Sequence, residues 1–152
     1  MATQAIPGFS GLLFASTAAA TTAAPSTTPV AELQECVISL DQVAIAATSK
    51  DSAGWDEFLP GIRKWTVTGK GYYRDMSPSS SAPSGQGLIA NAIMQQVKMG
   101  ATFRATSSSG IMNWLGGVIV TKFALSNPLD KANEYDFAAN GTGSISILPS
   151  TS

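Results

Sequence analysis

A chain of 152 residues predicts one globular domain, 1–152, whose core buries roughly two thirds of the unfolded surface. Charged residues make up only 12% of it, against about 25% in an ordinary soluble domain, and nine basic and ten acidic side chains leave a formal net charge of −1. With no histidine and one cysteine, imidazole bases, Ser-His-Asp triads, His-ligated zinc and internal disulfides are excluded. The missing basic excess also argues against a dedicated nucleic-acid binder. So little charge leaves a lone copy poorly protected from edge-to-edge association, which makes self-assembly an early expectation.

Residues 11–15 followed by Ala18, Ala19 and Ala20 imitate a secretory signal. The first ten residues carry no positive charge, Pro7 and Gly8 precede the apolar run, and the run is short, so a strand is the better reading. No stretch reaches the roughly 18 apolar residues of a membrane span. Residues 17–29 contain only Ala, Thr, Ser and Pro and read as a connector. Residues 30–40 alternate imperfectly, with Val30, Glu32, Gln34 and Cys36 set against Ala31, Leu33, Glu35 and Val37. Cys36 reads as a small buried apolar group rather than a reactive thiol.

Residues 42–61 mix apolar Val43 and Ile45 with polar positions and aromatic Trp55 and Phe58, and are expected to form a large structured loop. Residues 62–73 predict a strand with Trp65, Val67, Gly69 and Gly71 on one face and Thr66, Thr68, Lys70 and Tyr72 on the other. A Ser- and Pro-rich loop over 75–85 leads to a helix over 85–98, capped by Ser84, with Leu88, Ile89, Ala92, Ile93 and Val97 on its apolar side. Four strands follow, at 100–107, 112–126, 134–139 and 143–148, and the longest is apolar enough on both faces to be covered on both. The fold class is mainly β: an antiparallel β-sandwich or partial barrel of six to eight strands with one flanking α-helix.

Chemistry would have to rest on carboxylates, and the candidate pairs are Asp56 with Glu57, Glu32 with Glu35, and Glu134 with Asp136. Two apart in a strand, Glu134 and Asp136 would share a face. Solvated rim charges explain all three pairs, and there is no nucleophile elbow, phosphate loop or metal-ligand spacing. No enzymatic activity and no cofactor or metal are expected. Arg63, Lys64, Lys70 and Arg74 lie near Trp65, Tyr72 and Tyr73 but are interspersed with Asp56, Glu57 and Asp75, as on an ordinary strand rim. Trp55, Trp65 and Trp114 read as core or interface anchors.

Over residues 45–67 the chain resembles the major tail tube proteins of tailed bacteriophages. The resemblance rests on the run Thr48-Ser49-Lys50-Asp51, Gly54-Trp55, the turn Leu59-Pro60-Gly61 and Trp65 opening a strand. Phe123-Ala124-Leu125, Tyr135-Asp136-Phe137 and Gly141-Thr142-Gly143 look like that family's closing hairpin. The resemblance spans about residues 30–147, and 17–28 and 77–84 match no motif. It implies a subunit whose strands are completed by neighbouring subunits, in hexameric rings stacked into the hollow tube through which double-stranded DNA leaves the virion. Residues 42–61 would then be an inter-subunit or inter-ring loop, with Thr48, Ser49, Lys50, Asp51, Trp55, Phe58 and Leu59 in the contact. Glu134 and Asp136 are the candidate lumen-facing residues.

The implied partners are further copies of the chain, a tape-measure protein, a tail terminator and baseplate or tail-tip proteins, with passing DNA and no membrane. The implied location is the virion tail, assembled in the host cytoplasm. A neutral, Ser- and Thr-rich lining would let DNA pass without clamping its phosphates. The alternatives are a β-sandwich binding module for carbohydrate or protein, using Trp55, Trp65 or Tyr72 as a platform, and the inner tube of another contractile injection system.

Overall fold

The computed structural model describes residues 12–16, 28–30, 33–51, 54–73, 85–104 and 112–149. These form β1 (Leu12–Ser16), β2 (Thr28–Pro29), β3 (Leu33–Ala46), β4 (Phe58–Tyr72), α1 (Gly85–Met94), β5 (Met99–Arg104), β6 (Met112–Ser126) and β7 (Glu134–Pro149). All neighbours pair antiparallel in one seven-stranded sheet of order β2-β1-β5-β6-β7-β4-β3. β1 also approaches β3, five places away in that order, so the sheet curls into a partial barrel without closing. Among the described residues no helix is long and apolar enough to cross a membrane.

Strand alternation decides which face is dry. Trp65, Val67 and Gly71 are buried while Thr68, Lys70 and Tyr72 are exposed, as the period of two in β4 predicts. Val67 lies opposite Ala139, and Gly71 opposite Tyr135, in β7. Val118 and Val120 of β6, Met99 and Ala101 of β5, and Leu13 and Ala15 of β1 continue the same core. Leu88, Ile89 and Ala92 of α1 cover it. Ile89 has no exposed surface, and burying such a side chain contributes roughly 1.5–3 kcal/mol. Buried Gln86 ties the helix to the sheet by donating from Nε2 to the Tyr72 carbonyl at 3.0 Å.

Several sequence expectations change. The helix stops at Met94 rather than 98, because Gln96 adopts φ +55° and closes a Schellman cap. In that cap Val97 N–H donates to the Ala92 carbonyl at 3.1 Å and Gln96 N–H to the Ile93 carbonyl at 3.2 Å. Val97, expected on the buried side, therefore lies beyond the helix and is exposed, and Ile93, in the last turn, is exposed as well. The two strands expected at 134–139 and 143–148 are a single β7. Much of 42–61 is strand, since β3 runs to Ala46 and β4 begins at Phe58, leaving 47–57 as the connecting turn. β6 is covered on both faces only over Leu115–Val118, where consecutive residues are buried; from Ile119 on, one face is bare, with Ile119, Thr121 and Lys122 exposed. In β3, an irregularity between Leu33 and Glu35 changes the phase, so that Leu33, Cys36 and Ile38 all pack against the core. The Ser84 cap, most of the 17–29 connector and the 77–84 loop lie outside the described residues.

Candidate assembly interface

β4 pairs with β7 only from Thr66 to Tyr72, yet its pairing with β3 continues to Phe58. Residues 41–46 and 58–64 therefore leave the sheet as a two-stranded arm. Trp65 stands where the arm departs. Its indole Nε1–H donates to the Gly143 carbonyl at 3.1 Å. Its ring lies so close that a Cβ at Gly141 would come within 2.0 Å of it, and one at Gly116 within 2.5 Å. Glycine at these two positions is thus the seat of an aromatic ring, which allows β7 to run unbroken past Gly141.

Beyond Trp65 the arm exposes apolar side chains. Val43, Ile45, Phe58, Leu59 and Ile62 are each more than half exposed, and at the tip Trp55 is 78% exposed. An exposed apolar set of this kind on a soluble domain marks a contact surface. The tip is shaped by polar bonds: Ala47 N–H donates to the Glu57 carbonyl at 2.9 Å and Glu57 N–H to Thr48 Oγ1 at 3.2 Å. Asp51 N–H donates to Ser49 Oγ at 3.3 Å. Gly54, at φ +87°, supplies the left-handed turn before Trp55.

On the other side of the long strands β6, β7, β4 and β3, no described element covers the sheet. That face carries Ser39, Thr66, Thr68 and Asn140, exposed Val37 and Ile119 on its two outer strands, and a row of charges. Glu35 of β3 pairs with Lys70 of β4 at 2.8 Å, Lys70 lies opposite Asp136 of β7, and Asp136 pairs with Lys122 of β6. The row alternates in sign from one edge of this four-strand unit to the other. Lys70 is held above its ordinary range by its hydrogen bond to Glu35, then by the charges of Glu35 and Glu134. In β6, an irregularity between Val120 and Lys122 frees Thr121, whose hydroxyl donates to the Ala138 carbonyl at 3.1 Å.

Both edges of the four-strand unit are open. β3 has a partner on one side only, and β6 loses β5 after Val118, so residues 119–126 are unpaired on that side among the described residues. The same described residues hold no group of three or more His, Cys, Asp or Glu that could bind a metal ion.

The sequence model of the phage tail tube protein family matches residues 9–147. The chain belongs to that family. Solved structures share the fold. The tail of an empty gene transfer agent particle, refined helically with C6 symmetry, superposes with a TM-score of 0.73 at 18% identity, over 95% of this chain and 99% of that one. The SPP1 tail tube gives 0.65 at 12% identity, over 93% and 77%. The sheath-tube complex of an extracellular contractile injection system gives 0.59 at 12% identity, over 96% and 93%. No curated protein sequence matches.

In this tail tube protein the candidate residues divide into two groups. Thr48, Ser49, Lys50, Asp51 and Trp55 are exposed in the turn at the arm's tip, and Phe58 and Leu59 are exposed at the start of β4. Glu134 and Asp136 share the polar face, as their spacing predicts, but the ion-pair partner of Asp136 is Lys122 rather than a second carboxylate. The sequence places Val43 and Ile45 in the 42–61 contact segment but leaves out Ile62, and shows neither the pairing of that segment into a two-stranded arm nor the charge row. Its members lie on four strands, and no local pattern brings Glu35, Lys70, Asp136 and Lys122 together.

Proposed function

We propose that six copies of this tail tube protein close into a ring by pairing the open edge of β3 with the open 119–126 edge of the next copy's β6. The observation that carries this reading is the pair of open edges flanking a four-strand unit with one bare, polar face. A rotation about the ring axis preserves each strand's sense, so β3 meets the neighbouring β6 antiparallel, continuing the alternation inside each copy. Closure removes both edges, the usual aggregation hazard of such a sheet. The number six is supported by the C6 symmetry of the gene transfer agent tail.

The bare face then lines the channel, with Glu134 and Asp136 in its wall, and the core face with α1 lies outside. Lysines matched by carboxylates give duplex DNA little net charge to bind as it passes. The arm, with Trp55, Phe58, Leu59 and the 48–51 turn, reaches a neighbouring subunit or the adjacent ring, where its apolar side chains are buried. Stacked rings make the tube; a tape-measure protein inside it, a terminator at one end and a baseplate or tail tip at the other complete the tail, assembled in the host cytoplasm. The role is structural and not catalytic. Negative-stain microscopy of the purified chain tests the assembly: hollow tubes or rings are expected, and a chain that stays as isolated globules at high concentration, even with tail fragments added as starting ends, overturns it.

A further inference from the structure

We infer that Lys122 of one copy forms an ion pair with Glu35 of the next, so that the charge row inside each copy becomes a continuous belt of alternating sign around the ring. This rests on the ring reading above and adds the residues that specify it. Glu35 stands on β3 and Lys122 on β6, the two strands with open edges, and both side chains belong to the same bare face. Each is paired within its own chain, to Lys70 and to Asp136, yet remains about half exposed, at 53% and 58%, with surface left for a second ion across the edge.

The row runs Glu35, Lys70, Asp136, Lys122, so an anion ends it at one edge and a cation at the other. Each edge therefore presents the charge that the opposite edge of another copy needs. The reach is already demonstrated within the chain. Lys122 lies opposite Ala138 and bonds diagonally to Asp136, two residues along β7. The same diagonal or a direct register across the new edge brings it to Glu35. Like edges, β3 on β3 or β6 on β6, would oppose equal charges, so the belt also selects head-to-tail pairing over dimers of matching edges.

Within one copy β3 and β6 are separated by three strand spacings of about 4.8 Å each, so Glu35 and Lys122 of the same chain do not meet. A zero-length carbodiimide cross-link between Glu35 and Lys122, found by peptide mass spectrometry in wild-type tubes and missing from unassembled subunits, is the direct expected result. Wild-type tubes that give Glu35–Lys70 and Lys122–Asp136 links but no Glu35–Lys122 link overturn the contact.

Charge reversal provides the second measurement. Glu35→Lys alone and Lys122→Glu alone each place like charges at every interface, and each is expected to raise the concentration needed for assembly about tenfold or more. In an equimolar mixture the two variants can alternate around the ring, which restores opposite charges at every interface and closes in a ring of even number. Because each variant keeps its own intrachain mismatch with Lys70 or Asp136 in the mixture, recovery reports the interchain pair alone. Thermal melts of the unassembled variants establish that each is folded. Single variants that assemble like the wild type, or folded variants whose mixture fails to recover, overturn the inference while leaving the tube intact; a wild-type chain that never assembles overturns the ring and this contact together.

Discussion

Trp65 and Cys36 show how single residues link local pattern to the fold. Trp65 was legible as one face of a strand, but its seat was not: Gly141 and Gly143 carry an ordinary turn signature, and their true role depends on an indole arriving from another strand. A Gly141→Ala substitution places a methyl group against that ring. Overpacking of this kind costs about 1–3 kcal/mol, and the expected result is a Tm lowered by roughly 2–12 °C in calorimetry of the unassembled subunit. Cys36, read as buried from its surroundings, packs against the core, and burial pushes its thiol up to about 12 from 9.0. The unfolded chain therefore releases this proton first as pH rises. Stability is full below pH 9 and falls by about 1 kcal/mol between pH 9 and 10, and urea titrations of a Cys36→Ala variant should lack that decline. Raised Lys70 acts in the same direction only above its ordinary 10.5, outside this window.

At the scale of elements, legibility followed burial. β4 and β7 have one dry and one wet face where they pair, and their alternation was readable there. The arm has apolar side chains exposed on a ribbon with no core beneath it, and Pro60 and Gly61 add turn signals, so 42–61 looked like a loop although much of it is hairpin. The helix was found from its periodicity but not its end, since Gln96 occupies the left-handed position where glycine is the usual marker. Exposure of Trp55 makes the arm separable from folding. Trp55→Ala is expected to leave the melting curve of the subunit unchanged and to abolish or strongly weaken polymerisation, because losing an aromatic anchor at an interface costs about 2 kcal/mol or more. A drop in subunit Tm comparable to that of Gly141→Ala would place Trp55 in the fold rather than the contact.

At the scale of the molecule, the low charge content pointed to assembly before any element was assigned, and the open edges give that composition a structural meaning. The proposed channel wall has its cations matched by carboxylates, so a single added lysine should be felt. Thr68→Lys, on the bare face beside Lys70, is expected to leave tubes intact while causing them to retain duplex DNA at low ionic strength, with retention lost as salt is raised. Equal DNA retention by wild-type and variant tubes would remove this face from the channel.

The solitary arm also bears on how polymerisation begins. A two-stranded ribbon without a supporting layer is marginal in water, so in a free subunit residues 41–46 and 58–64 should open often and exchange their amide hydrogens quickly. Docking on an existing template would hold the ribbon shut, whereas two free subunits meeting in solution must both order theirs at once. Growth from a seed then outpaces spontaneous initiation, giving a lag phase that sheared fragments abolish. A cell could hold a large reservoir of such subunits quiet until a starting platform was ready.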